Sequence, residues 1–567
     1  MIARVSSFIL EGIAAVPCEV EVDFDPTGLE RQSIVGLPDA AVRESLERVK
    51  AALTNTGYRC PVGRLLVNLA PADTRKEGPV YDLAIAIGLL VAGSVIEPAR
   101  GRTAMIGARQ GEHAHARTNG ASHTARDNGG VALLDAEPGG PDGLDLRRFM
   151  VAGELALDGR VRPVRGIIAL AALAHARGMR GVIVPQANAR EASVVGGLEV
   201  YGVSSLAEVV GLVTGMLDVP LEPPVDVEAL IEGTRPPVDF ADVRGQETVK
   251  RAITVAAAGG HNILMLGPAG TGKTMMARAL PGILPPLTRE EALEVTRIYS
   301  AVGRLGGPPD RAHTSSHGGA SEEEFRDLGL VTRRPVRAPH HTASSSAVIG
   351  GGAIPKPGEI SLAHRGVLFL DELPEFPRFV LDTLRQPLEE GSVTIARAHS
   401  AVTFPARFML VAAMNPTAKG DMPTDGFGRK EMERYLGRLS RPLIDRVDIH
   451  VEAPAVPWSQ LSGPPTKGTS TAEMRDRVAE ARHRQHARQG RALNSALSGR
   501  QLDAHAPIAP DALLLLGQAM TELKLSARAY DKIRRVSRTI ADLEGVDMVT
   551  AAHIAEAVQY RLLDRGV

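Results

Sequence analysis

The apolar positions along the chain follow two rhythms. Up to about residue 455, near-continuous apolar runs alternate with helix-period segments; beyond about residue 471 the period is helical throughout. Early in the chain, RLLVNLAPAD (64–73), RFMVAGELAL (148–157) and RGVIVP (180–185) predict strands. YDLAIAIGLLVAG (81–93) and IIALAALAHARG (167–178) predict helices, the first ended by Gly93. A second unit opens with a helix, QETVKRAITVAAAGG (246–260), and continues with buried strands at HNILMLG (261–267), GVLFLDE (366–372) and FMLVAAMN (408–415). Apolar strands without polar alternation, set between helices, predict a parallel sheet covered on both faces. The segments TAEMRDRVAEARHRQHARQ, PDALLLLGQAMTEL, SARAYDKIRRVSRTIADLEG and TAAHIAEAVQYRLL predict an all-α domain of about four helices.

Three stretches break these rhythms. DVPLEPPVDVEALIEGTRPPVDF (218–240) predicts a linker, because its Pro pairs oppose both helix and ladder. Residues 97–147 and 303–325 are rich in Gly, His, Ser and charge, and predict largely disordered surface insertions. Their histidines (His113, His115, His123, His313 and His317) are irregularly spaced, without a Cys or carboxylate framework, and read as solvated loop rather than metal ligands. The expected division is an α/β domain over 1–215 with the insertion 97–147, a linker over 216–237, a second α/β domain over 238–455 with the insertion 303–325, and a helical domain over 470–567.

Composition narrows the function classes. The 567 residues carry 65 basic and 66 acidic side chains, so the chain is not a polycation that coats nucleic acid or anionic membrane. Only 10 of the basic residues are Lys, so a Lys in a chemically demanding place stands out. Cys18 and Cys60 are the only cysteines, which excludes a disulfide framework and a Cys-rich zinc ribbon and suits a reducing cytosol. No signal peptide and no apolar run of membrane-spanning length is read, so the expectation is a cytoplasmic protein without membrane or zinc.

The sharpest chemical signal is GPAGTGKT: Gly267, Pro268, Ala269, Gly270, Thr271, Gly272, Lys273 and Thr274 follow a predicted strand and open a predicted helix, the P-loop pattern. Such glycines let backbone N–H groups turn toward phosphate oxygens, Lys273 brings a point charge to the β- and γ-phosphates, and the Thr274 hydroxyl binds Mg²⁺. ATP and Mg²⁺ are therefore the expected cofactors. In GVLFLDEL, Asp371 and Glu372 stand at the C-terminal end of a buried strand, where ligands gather in a parallel sheet. Asp371 suits the Mg²⁺ shell and Glu372 the attacking water. Asn415 ends a third buried strand, where its amide can hold that water or the γ-phosphate. Arg438, Arg441 and Arg446 cluster in RLSRPLIDRVDIHVE, and Arg528 opens a C-terminal helix; a guanidinium from a neighbouring subunit and one from the lid would stabilise transition-state charge.

With these blocks in order, the chain resembles AAA+ ATPases of the magnesium-chelatase-like group, of the ComM/YifB type. The likeness is carried by GLPDAAVRESLERVKAAL (36–53), VNLAPADTRKEGPVYDLAIAIGLL (67–90), GELALDGRVRPVRG (153–166), and RPVRAPHHTASSSAVIGGGAIPKPGEISLAHRGVLFLDELPEF (334–376). LVAAMNP, RPLIDRVDIHVE and LSARAYDKIRRVSRTIADLEG continue it. The resemblance implies an α/β multidomain protein: an N-terminal Lon-protease-like (S5 domain 2-like) domain, a P-loop AAA+ α/β/α domain and a C-terminal all-α lid. It implies Arg446 as arginine finger, Arg528 as sensor 2 and Asn415 as sensor 1, in a hexameric ring whose active sites lie between subunits. ComM-type members act as helicases that drive branch migration during uptake and recombination of DNA. Two departures stand out. Val80 occupies the place of the Lon nucleophile and Ile168 and Leu170 that of its Lys, so Ser-Lys proteolysis is not expected. The Cys-rich loop usual after the sensor Asn is here NPTAKGDMPTDGFGRKEMERY, with no Cys.

Local features must supply any DNA contact. SVTIARAHSAVTFPA (392–406) predicts a hairpin that, by resemblance, points into the ring's pore, with Arg397 and His399 near its tip. RAPHHTASSSAVIGGGAIPKPGEI (337–360) is too rich in Gly and Ser to be core; it resembles the family's helix-2 insertion, with Lys356 a second pore contact. The adjacent His340 and His341 lack the spacing of a helical metal pair. Arg475, Arg477, Arg482, Arg484, Arg488 and Arg491 crowd one helix, as a solvated face or, second, a phosphate-tracking surface. The leading expectation is a DNA-acting ring ATPase; the alternative is a chelatase- or chaperone-type ATPase that remodels a protein partner.

Overall fold

A computed structural model describes residues 2–97, 144–233, 238–305, 328–352, 355–397, 400–417, 435–457, 468–561 and 563. Residues 98–143 and 306–327, which hold the histidines and most of both expected insertions, lie outside the described residues, as does 418–434 after Asn415. Residues 144–147, assigned above to the first insertion, instead join the core through Leu144 and Leu146.

The N-terminal domain is built on β1 (Ile2–Glu11) and β2 (Ala14–Asp25), a long antiparallel pair with Glu11 opposite Ala14. In β2, Cys18, Val20, Val22 and Phe24 are buried while Glu19, Glu21 and Asp23 alternate with them, the period-2 pattern of a half-covered sheet. Joined by β3 (Arg31–Val35), β4 (Arg64–Ala70), β5 (Phe149–Val151), β6 (Gly181–Pro185) and β7 (Glu199–Val203), they form, among the described residues, one sheet of order β3-β4-β2-β1-β5-β6-β7. The run 148–157 is not one strand: after β5 the chain leaves the sheet, and Glu154–Leu155 pairs instead with Val161–Arg162. Helix α1 (Ser45–Asn55) packs on α2 (Asp82–Ala92), whose residues are buried all round because α2 lies between α1 and the sheet. That double burial explains its lack of a polar face. On the other side, α3 (Ile167–Ala176) packs beside α4 (Gln186–Ser193).

The second domain opens with α5 (Glu247–Gly259), then β8 (Ile263–Leu266), α6 (Lys273–Ala279) and α7 (Arg289–Ala301). With β9 (Val336–Arg337), β10 (Val367–Leu370), β13 (Met409–Met414) and β14 (Ile449–Glu452), β8 forms an all-parallel sheet of order β9-β10-β13-β8-β14. Strands β11 (Ser392–Arg397) and β12 (Ser400–Pro405) form the separate hairpin expected at 392–406. Alternate residues feed two cores. Ile263, Met265, Val367, Phe369, Val411 and Ala413 face a cluster shared with α5 and the C-terminal helices; Leu264, Leu266, Leu368, Leu370, Leu410 and Ala412 face the opposite one.

The C-terminal helices α8 (Thr471–Gln489), α9 (Pro510–Glu522), α10 (Ala527–Glu544) and α11 (Ala551–Gln559) arise where predicted. The arginines in and just after α8 divide: Arg475, Arg477 and Arg491 are exposed as a solvated face requires, whereas Arg482, Arg484 and Arg488 are half-buried. Arg482 donates to the Ala257 carbonyl at 2.7 Å, Arg475 to Gly282 O at 2.9 Å and Arg484 to Asp542 O at 2.6 Å. Arg488 forks onto the buried Asp542 at 2.7 and 2.9 Å. They satisfy carbonyls and a carboxylate that docking this helix would otherwise bury unpaired. The linker expectation also changes: Val227–Glu232 is helical between the Pro pairs, capped by Asp226, and Val227 and Ile231 fill an interdomain cluster with Leu287, Ala292 and Leu330. Likewise Val348 and Ile360 of the Gly/Ser-rich segment 337–360 are fully buried.

A buried polar knot joins sheet and helices. Asp448, just before β14, lies 3.0 Å from Lys532 Nζ and 3.2 Å from His261 Nδ1, whose Nε2 meets Thr539 Oγ1 at 2.8 Å. Burial alone would raise the Asp448 carboxyl; Lys532 and His261 overcome it and hold the group well below the usual carboxylate range. Asp448→Ala leaves Lys532 buried without a counter-ion and is expected to destabilise the second domain with its C-terminal helices by about 3–5 kcal/mol, read as a lower urea midpoint. In the wild type, because the folded value is depressed, this contribution is present above about pH 4 and lost as pH falls toward the folded value.

Candidate active site

The turn between β8 and α6 is built by close approach. A Cβ on Gly267 would lie 2.1 Å from the Ala453 carbonyl, so only glycine lets the loop leave β8 beside the end of β14. Gly270 and Gly272 take φ of +80° and +86°, with open space where a Cβ would stand. Lys273 Nζ donates to Gly267 O at 2.6 Å, Pro268 O at 2.8 Å and Asn415 Oδ1 at 3.3 Å. Thr271 Oγ1 donates to Pro268 O at 3.1 Å. Burial draws the Lys273 ammonium down, with Asp371 and then Glu372 opposing.

Strand β10 delivers the carboxylates. Thr274 Oγ1 donates to Asp371 Oδ2 at 2.8 Å, which joins the hydroxyl that opens α6 to the carboxylate that ends β10. Glu372 follows in the left-handed region, at φ 52° and ψ 46°, a conformation that costs a non-glycine residue about 1 kcal/mol or more. Its N–H donates to Asp371 Oδ1 at 3.0 Å, and its carbonyl accepts from Glu375 N at 2.8 Å. Four expected residues, Lys273, Thr274, Asp371 and Asn415, thus meet at the carboxyl edge of the sheet, with Glu372 beside them. A hydroxyl, a carboxylate and an ammonium around an open glycine loop suit a nucleotide triphosphate with Mg²⁺.

His341 is the neighbour that sequence reasoning missed. Its Nδ1 lies 3.1 Å from Glu372 Oε2, and its ring stacks on His340 with centroids 4.1 Å apart. The one sequence signal was position: His341 follows β9, whose carboxyl end adjoins that of β10.

Arg446 and Arg528 are not at this edge. Both line a cleft of about 1030 Å³ together with Asn262, Gly366, Phe408 and Asp448, the residues immediately before β8, β10, β13 and β14. The cleft therefore runs along the amino edge of the sheet, and none of the P-loop residues lines it. Arg446 contacts Glu389 and donates to Pro442 O at 2.6 Å. Arg528, 70% exposed, stands 3.6 Å from Asp445. The length of β8, ~13 Å for four residues, separates the two edges.

Of the pore candidates, Lys356 is exposed on a two-residue ribbon with Gly350–Gly351. His399 and the side chain of Arg397 lie outside the described residues; the backbone of Arg397 pairs with Ser400 at the end of β11 and β12.

An all-parallel sheet with a P-loop after β8, paired carboxylates after β10, an Asn after β13 and a helical lid defines a magnesium-chelatase-like AAA+ ATPase. Residues 239–461 match the family of magnesium chelatase, subunit ChlI; 468–561 match the C-terminal family of that subunit; 20–112 and 130–188 match the family described as subunit ChlI of Mg-chelatase. The chain is 39% identical to the competence protein ComM of Haemophilus influenzae, over 98% of this chain and 96% of that protein. It is 38% identical to YifB of Escherichia coli over the same shares. The magnesium-chelatase subunit ChlI of Chlorella vulgaris is 24% identical, over 60% of this chain and 92% of that subunit. The chain belongs to the ComM/YifB family. Its family implies nucleotide and Mg²⁺ use and an oligomeric ring, and among the described residues no helix is long and apolar enough to cross a membrane.

Glu372→Gln keeps the shape of the site and removes the charge. It is expected to retain binding of a fluorescent ATP analogue within about twofold while turnover falls by at least ~10²-fold; near-normal turnover would remove Glu372 from the chemistry.

Proposed function

We propose that this protein is a ring motor that hydrolyses ATP to move on DNA, a branch-migration helicase in uptake and recombination of DNA. In each protomer the P-loop, Gly267–Thr274, cradles the phosphates and Lys273 offsets their charge. Thr274, with Asp371 from a second sphere, would hold Mg²⁺, which would supply charge neutralisation at the phosphates. Glu372 polarises the attacking water, and Asn415, already bonded to Lys273, orients water or γ-phosphate.

The observation that carries a shared site is the separation of edges. The cradle sits at the carboxyl edge of the parallel sheet, while Arg446 and Arg528 line a cleft at the amino edge. A guanidinium there serves the triphosphate of the next protomer, not its own, so both finger and sensor 2 act between subunits. The DNA reading draws on the hairpin 392–405, with Arg397 and His399 as phosphate contacts at its end, on the ribbon carrying Lys356, and on the name of the Haemophilus relative. The protein-remodelling alternative is favoured by the ChlI match over the ATPase domain.

Lys273→Ala and Arg446→Ala are each expected to lower hydrolysis by about 10³-fold or more. Mixed in one preparation they should recover a measurable fraction of turnover, because one variant supplies intact cradles and the other intact guanidiniums; no recovery would refute the shared site. Forked or four-way DNA should raise the wild-type rate, and Arg397→Ala should weaken that response. An unchanged rate with no strand exchange favours the protein-remodelling reading.

A further inference from the structure

Among the described residues the N-terminal domain meets α7 of the ATPase domain and, separately, its hairpin. At the first, buried Glu191 of α4 accepts from Ile168 N at 2.9 Å and Asn188 Nδ2 at 3.0 Å, and contacts Ser300 Oγ of α7. The same hydroxyl accepts from Gly166 N at 3.0 Å. With the Val194–Val227–Leu287 cluster, this fixes the domain to α7.

At the second place, the tip between β1 and β2 reaches the hairpin β11–β12. Gly12 sits at φ +65°, and a Cβ there would lie 2.6 Å from Val402 Cγ1 and 3.4 Å from Phe404 Cε1, so the backbone itself abuts β12. Ile13 packs against two clusters at once: that of Val393, Ile395, Phe404 and Leu370, and that of Val295, Ile298 and Tyr299 on α7. From the hairpin's other flank, Gly350 approaches Ile395, since its Cβ would lie 2.7 Å from Ile395 Cδ1. A second N-terminal loop comes near the same ribbon: burial raises the Glu77 carboxyl, opposed by Arg75 and then by Lys356.

An isolated two-stranded hairpin is marginal in water, so its tilt is set by what its apolar face rests on. Here that seat includes Gly12 and Ile13. We propose that the β1–β2 tip is a strut that holds hairpin 392–405 at its working angle, with Ile13 as the positioning residue, so that the N-terminal domain couples hairpin engagement to hydrolysis. The coupling clause rests on the DNA reading above; the strut itself does not.

The test is backbone hydrogen exchange on the full-length chain, paired with ATP hydrolysis with and without forked DNA. In Ile13→Asp, amides of 392–405 should exchange at least about tenfold faster while those of α6 are unchanged. Hydrolysis without DNA should stay within about twofold of wild type, and its DNA-dependent increment should be lost. Ile13→Val should restore both readouts. If Ile13→Asp fails to fold, Ile13→Ala should show the same pattern more weakly. Unaltered exchange across 392–405 overturns the strut, and so does an equal loss of hydrolysis with and without DNA. If the wild type shows no DNA response while Ile13→Asp still loosens the hairpin, the strut stands and the DNA reading falls.

Discussion

Strand polarity is the constraint on which the rest depends. In a parallel sheet every strand presents its carboxyl end to one side, so the P-loop after β8, the carboxylates after β10 and the Asn after β13 converge without any further device. The same polarity places what precedes each strand at the opposite edge, and Arg446 stands three residues before β14. Its carbonyl is tied there by Asn262 Nδ2 at 3.1 Å, and Asn262 Oδ1 accepts from Leu410 N at 2.9 Å. Cradle and guanidinium are thus kept apart by the backbone order itself, and side-chain rotation in one protomer does not bring them together.

Docking of the helical lid follows from the same sheet. Its helices share the apolar cluster fed by one face of β8, β10 and β13, so the lid continues the sheet's core rather than forming a separate one. Burial of that seam would strand polar groups. The chain meets this with charge: Asp542 accepts from Arg488, Arg538 and Asn494, while Asp448 answers Lys532 and His261. Buried ion groups of this kind add little net stability over apolar packing, but loss of one member leaves an uncompensated charge. They fix the register of lid against sheet, and with it the distance between Arg528 and Arg446, which line one cleft.

What the sequence disclosed was local and periodic. The strand–turn–helix around Lys273, the carboxylates that end β10, the 392–406 hairpin and the C-terminal helices each carry their signal within some twenty residues, and all occur where read. The misreadings have a common cause: the deciding partner is distant. Arg482, Arg484 and Arg488 of α8 read as solvated like their exposed neighbours because Ala257, some 225 positions away, and Asp542 are invisible from their own segment. The helix Val227–Glu232 forms between Pro pairs because Val227 and Ile231 gain burial from α7, not from local propensity. His341 became visible only when sheet order set β9 beside β10. The edge on which Arg446 falls was available in principle, since parallel strands fix it from position alone.

The titratable groups buried in the N-terminal domain are committed to its packing. Lys76 is buried, and its ammonium is committed to the carbonyls of Pro71 and, at 2.7 Å, Thr74. Cys18 is the nearby thiol, but burial pushes it up to about 12 despite Lys76, so it does not present a thiolate near neutral pH. Asp82 is fully buried and held by Arg48 at 3.0 and 3.1 Å, a carboxylate engaged in packing α1 against α2. Ile168 and Leu170, at the place of a catalytic Lys in the Lon-type resemblance, are completely enclosed in the core. Lys76, Cys18 and Asp82 are thus engaged in holding the domain together. Rigidity is what a body anchored at Ser300 and resting on Val402 requires: a compliant domain would absorb the hairpin's displacement, whereas a stiff one passes it to α7, the helix that follows the P-loop helix in the chain.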